Sequence, residues 1–108
     1  MGNRTVRHFT SDDDVLEIVR FWALKHNFEA MEKSTYRKLY IKKNWLDAPD
    51  FYLEIQVDGN KVSLQAWMKN WMGEKSLEGG GMVGIAPRNS FKNALNDLLR
   101  MLEEPTIK

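Results

Sequence analysis

Cysteine is absent from the 108 residues, which removes disulfide bridges, thiolate nucleophiles and cysteine-ligated zinc or iron–sulfur centres. No apolar run approaches the roughly 20 residues needed to cross a bilayer. The opening MGNRTVRHFTSDDD lacks the apolar core of a secretory signal. A Met-Gly start suits myristoylation only with Ser or Thr at position 6, which here is Val6. A dominant charge is missing too: sixteen Lys and Arg oppose fifteen Asp and Glu, for a formal +1. Whole-molecule attraction to nucleic acid is thereby excluded, leaving at most a local patch. Repeats, low-complexity tracts and linker-like stretches are also lacking. The expectation is one cytoplasmic domain over residues 1–108, and 43% hydrophobic residues suffice for a core without staples. A chain of this size buries roughly 65% of its unfolded surface.

Catalytic groups are equally sparse. His8 and His26 have no metal-pair spacing, and Ser76 and Ser90 lie in no nucleophile elbow. Asp12 to Asp14 read as a helix cap, and Glu29 and Glu32 as strand surface. No nucleophile, base and orienter can be assembled. The expectation is a non-catalytic domain without cofactor or metal.

Periodicity organises what is present. RTVRHF reads as a short strand, Arg4 to Phe9. TSDDD then announces a helix, with Thr10 or Ser11 as N-cap and three aspartates at its positive end. Val15, Ile18, Val19 and Trp22 form one apolar stripe, and Asn27 suits a left-handed stop. FEAMEKS reads as strand and turn. In YRKLYIKK, period-2 alternation puts Leu39 and Ile41 on one face and Tyr36, Lys38, Tyr40 and Lys42 on the other. FYLEIQV turns Phe51, Leu53, Ile55 and Val57 inward. Asp58-Gly59 signals a type I′ hairpin, and KVSLQAWM returns with Val62, Leu64, Ala66 and Met68 inward. A final helix carries Phe91, Leu95, Leu98 and Leu102 on one face, and Pro105 ends it. The order β-α-β-β-β-β-α predicts a two-layer α+β domain, an antiparallel sheet with two helices on one face. This succession resembles the TATA-binding-protein-like topology.

Residues 77–99, LEGGGMVGIAPRNSFKNALNDLL, hold Gly79, Gly81 and Gly84 in the literal spacing G-x-G-x-x-G. A dinucleotide site needs those glycines between strand and helix of a βαβ unit, with an acidic residue ending the next strand. Here a helix runs almost to the last residue, and Glu103 and Glu104 stand at its terminus. Walker-type chemistry fails as well, because Ile85 follows Gly84. The glycines are better explained as a turn that leaves the sheet, with Pro87 setting the helix entry. A small-anion or nucleic-acid site at Gly80, Gly81, Arg88 and Lys92 is the alternative, since both cations sit near free amides early in the helix.

Glu78, Gly80, Gly81, Gly84, Pro87 and Arg88, followed by Ala94, Asn96, Leu98 and Leu99, form a pattern that resembles the C-terminal half of a small bacterial domain family, E-x-G-G-x-x-G-x-x-P-R before a closing helix. RTVRHFTS and EIVRFWA are similar to its front. The resemblance implies no activity and carries over no site residue, and the stretch from Trp67 to Glu78 is shorter here.

Two surfaces remain as candidates. The outward sheet face gathers Tyr36, Lys38, Tyr40, Lys42, Tyr52 and Trp67. AWMKNWMGEKS adds Trp71 and Met72, which a partly helical Ala66–Met72 would align into an apolar patch with Trp67 and Met68. Aromatics among lysines also suit single-stranded nucleic acid. Glu29 and Glu54 interrupt the face, so a protein partner or self-association ranks above it.

Overall fold

The computed structural model describes residues 4–44, 49–70, 73–75 and 85–107. Six strands and two helices follow in the order β1 (Thr5–Thr10), α1 (Val15–Lys25), β2 (Glu29–Glu32), β3 (Arg37–Lys42), β4 (Asp50–Asp58), β5 (Lys61–Asn70), β6 (Gly73–Lys75) and α2 (Ile85–Met101). All strand pairs are antiparallel, in the order β1-β5-β4-β3-β2, with β6 pairing the far end of β5. The expected α+β arrangement is therefore present with one strand more. Ala66 to Asn70 belong to that added β5–β6 hairpin and not to a helix.

The helices share one sheet face, and the core lies between the layers. Val15, Val19 and Trp22 of α1 and Phe91, Leu95, Leu98 and Leu102 of α2 meet Phe51, Leu53, Ile55, Val62, Leu64, Ala66 and Met68. Phe91 stacks on Phe51 at 4.6 Å between centroids. Trp22 ties α1 to its neighbours: its ring packs on Phe28 at 4.6 Å, and its indole N–H donates to the Ala94 carbonyl of α2 (2.7 Å). A buried indole needs such an acceptor, since an orphaned donor there would cost about 1–3 kcal/mol.

Local chemistry sets the element ends. The N-cap of α1 is Asp14, whose carboxylate accepts from the Glu17 N–H at 3.4 Å, while Ser11 Oγ serves the Asp13 N–H (3.1 Å). Thr10 and Ser11 thus stand upstream of the capping position expected of them. Both helices close with a left-handed residue, Asn27 (φ 63°) and Glu103 (φ 58°). At each, its own N–H and that of the following residue bond back to carbonyls of the last turn, the Schellman arrangement. Beyond α2, the Asn96 amide clasps the Ile107 backbone through both its N–H and its carbonyl (2.7 and 2.9 Å), burying Ile107. The β4–β5 hairpin pairs Asp58 with Lys61, so its loop is Gly59-Asn60, and only Gly59 has positive φ. That is the type II′ pattern, in place of the expected I′.

The main departure is the facing of β3. Tyr40 pairs with Leu53 and so points into the core, where it is buried. Lys38 and Lys42, opposite Ile55 and Phe51, share that helix-side face. Leu39 and Ile41, opposite Glu54 and Tyr52, stand on the outer face. In KLYIK three consecutive apolar residues satisfy either phase, and a one-residue shift exchanges the faces of a whole strand. Pairing with β4 makes the choice.

Two outcomes follow. Tyr40→Ala should cost about 3 kcal/mol, as for a buried aromatic, while Leu39→Ala should cost about 1 kcal/mol or less; equal losses in urea denaturation would contradict the β3 facing. Asp97 joins the helices, its Oδ2 meeting His26 Nε2 (2.8 Å) and the Lys25 ammonium (3.0 Å). Those bonds, His26 first, hold the Asp97 carboxyl below its ordinary range. Its contribution is therefore present above the unfolded-state pKa and lost as pH falls through the lower folded value. Asp97→Asn should flatten the acid limb of a Tm-versus-pH curve, modestly because the site is solvated.

Candidate functional site on the open sheet face

None of the described elements covers the sheet face opposite the helices. Cross-strand pairing arranges its side chains in rows. One row runs Trp67, Tyr52, Ile41, Glu29. The next runs Val6, Gln65, Glu54, Leu39, Met31. A third holds His8, Ser63, Gln56 and Arg37, and the last Thr10, Lys61 and Asp58.

The rows divide the face chemically. Around the hairpin end, an open depression of about 530 Å³ is lined by the polar residues His8, Thr10, Gln56, Asp58, Lys61 and Ser63 together with Phe9 and Val62. Towards β2 and β3 the face is apolar: Met31 is 51% exposed, with half-buried Leu39, Ile41 and Tyr52 beside it.

Ion pairs brace the centre. Glu54, only 7% exposed, accepts from the Arg37 guanidinium at 3.2 Å on both oxygens, with the Lys33 ammonium at 4.0 Å. Its burial without an apolar partner layer is possible because these cations neutralise it. Arg4, just before β1, crosses to the far end. Its Nε and Nη2 donate to the two Glu74 oxygens at 2.9 Å, and Nη1 donates to Gln65 Oε1 at 3.0 Å. The same guanidinium lies 3.7 Å above the Trp67 ring, which stacks on Tyr52 at 5.3 Å and 5°. Arg4 holds the Glu74 carboxyl below its ordinary range, and Glu74 in turn strengthens the protonation of Arg4. Trp67 is thereby buried on the outer face.

These placements redraw the expected partner surface. Tyr52 and Trp67 do stand on the open face, but Trp67 lies beneath Arg4. Tyr36, 66% exposed, lies in the β2–β3 connection, its carbonyl accepting from the Val57 N–H. Lys38, Tyr40 and Lys42 belong to the helix side. Trp67 and Met68 cannot stack along a helix: they alternate along β5, Met68 entering the core. Trp71 and Met72 lie outside the described residues, as do Gly80 and Gly81 of the expected anion site. Arg88 and Lys92, four apart on α2, are half-buried, and Arg88 Nε is buried without a hydrogen-bond partner among the described residues.

Sequence reasoning missed Leu39 and Ile41 as surface residues and Arg4 altogether. The ambiguous KLYIK run was the available signal for the first pair. Arg4 had none, since its partners lie 61 and 70 positions away. Among the described residues no group of His, Asp and Glu could hold a metal, and no helix is long and apolar enough to cross a membrane. The structure defines a class, a two-layer α+β domain with one sheet face that no described element covers. No family model and no curated protein matches the chain, so the likeness of its glycine-to-helix pattern to a bacterial domain family rests on those residues alone.

Removing the Arg4 clamp should loosen β6. Arg4→Ala should cost about 1 kcal/mol, the scale of a part-exposed cation–π contact with charge-assisted bonds, and speed amide exchange at Glu74. Arg4→Lys should not restore it, because an ammonium lacks the planar fork; unchanged exchange in both variants would refute the clamp.

Proposed function

We propose that this domain is a non-catalytic interaction module that binds a protein, a second copy of itself being the simplest partner, through the apolar half of the open sheet face. The observation that carries the reading is the position of Leu39 and Ile41, which join Met31 and Tyr52 on a face that no described element covers. Grouped apolar side chains facing water favour burial against another surface. A twofold partner could present the same patch and meet it isologously. The ion pairs Arg37–Glu54 and Arg4–Glu74 flank it and suit a polar rim, where charge sets register more than affinity.

A small-anion or nucleic-acid site at the start of α2 is the second reading, supported by Arg88 Nε, which is buried without a hydrogen-bond partner among the described residues. Phosphate and oligonucleotide titrations that shift the Arg88 and Lys92 amides would favour it. Likeness of element order to the TATA-binding-protein-like topology bears on architecture alone, since one fold serves many functions. A cytoplasmic setting fits a chain without cysteine.

Sedimentation equilibrium over rising concentration tests the main reading. Association should appear in the native chain and weaken by about tenfold or more in Met31→Lys with Leu39→Lys, as expected when charge enters an apolar contact, the new cation at 39 standing opposite Glu54. Tm should move little. A chain that stays monomeric, with no concentration-dependent amide shifts at 31, 39 and 41, would remove self-association.

A further inference from the structure

Among the described residues, β2 pairs with β3 and no strand pairs with its other side. The ladder phase fixes which backbone groups face that edge. The Val57 N–H donates to the Tyr36 carbonyl at 2.9 Å, and the Ser34 N–H to the Arg37 carbonyl at 3.0 Å. Tyr36 thus bonds towards β4 and Arg37 towards β2, and antiparallel ladders alternate these directions residue by residue. Leu39 and Ile41 therefore bond towards β2 as well, where Met31 and Glu29 stand opposite them. The N–H and C=O groups of Ala30 and Glu32 are left pointing out of the sheet, a template for a further strand.

We propose that β2 pairs antiparallel with β2 of a second copy, extending the sheet across a twofold axis at Met31. Charge selects this register. Glu29, Met31 and Lys33 follow at every second position, and the Lys33 ammonium reaches Glu54 at 4.0 Å on the outer face. About a centre at Met31, Glu29 stands opposite the partner's Lys33 at both ends, while Ala30 exchanges backbone hydrogen bonds with the partner's Glu32. A centre at Ala30 would set Glu29 against the partner's Met31 and form neither ion pair. Charged residues on an edge commonly deter pairing, but these complement their own copy, and opposite charges across a ladder stabilise it. Apolar side chains flank the joint on both faces. Met31, 51% exposed, lies on the outer side, and Leu24 of α1, 63% exposed, lies beside Ala30 on the helix side. Both gain cover when the copy arrives, in the isologous manner of a twofold contact.

This contact is separate from the open face and does not depend on it: Leu39 and Ile41 stay uncovered, and the two apolar corners join into one surface. The chain has no cysteine, so one introduced thiol reports the register. Opposed residues of a non-hydrogen-bonded pair have Cα atoms roughly 4.5 Å apart, within disulfide reach. Oxidised Met31→Cys should therefore give a cross-linked dimer. Leu39→Cys should not, because three strand spacings of about 4.8 Å would separate it from its copy. Adding Glu29→Lys to Met31→Cys should slow cross-linking about tenfold by setting like charges opposite. In the native chain, the Ala30 and Glu32 amides should exchange more slowly as concentration rises. The proposal fails if Met31→Cys stays monomeric, if Glu29→Lys leaves its rate unchanged, or if those amides gain no protection. Cross-linking through Leu39→Cys, with association lost in Leu39→Lys but kept in Glu29→Lys, would assign the contact to the open face and overturn edge pairing.

Discussion

The pairing of β3 with β4 is the constraint on which the surfaces of this domain depend. Setting Tyr40 opposite Leu53 sends the tyrosine inward and Leu39 and Ile41 outward in one step, because adjacent strand residues cannot share a face. Tyrosine is suited to that position. Its ring joins the core, as a large apolar body that carries one polar end. The opposite phase would bury Leu39 and Ile41 and turn Lys38 and Lys42 away from the helix side.

The outer face is stabilised differently. With no described layer above it, Trp67 is sheltered by Arg4 and Tyr52, and Glu54 by Arg37 and Lys33. A guanidinium is effective here because it stacks on an aromatic face while forking onto a carboxylate. Arg4 thereby ties three strands together: β5 through Trp67 and Gln65, β6 through Glu74, and β1 through the chain it begins. The same bracing leaves the Met31–Leu39–Ile41 corner uncovered, which concentrates the exposed apolar surface in one place.

Much of the architecture was legible in the residues. The stripe Val15, Val19, Trp22 and the set Phe91, Leu95, Leu98, Leu102 identified both helices and their buried sides. Alternation in FYLEIQV and KVSLQAWM correctly assigned the faces of β4 and β5, because each contains one unambiguous apolar row. The site was far less legible. KLYIK offers three apolar residues in succession, so no period-2 argument can orient it. The three-residue β6 is too short to show alternation, and Trp67 looks exposed until Arg4 arrives from the other end of the chain.

Local pattern therefore determined the two-layer α+β domain, the helices and the absence of thiol chemistry, since each depends on residues close together in the chain or on composition alone. Tertiary structure decided which face of β3 sees water and what shelters Trp67. Those outcomes are set by strand register and by contacts between distant segments, and neither leaves a trace in the spacing of neighbouring residues.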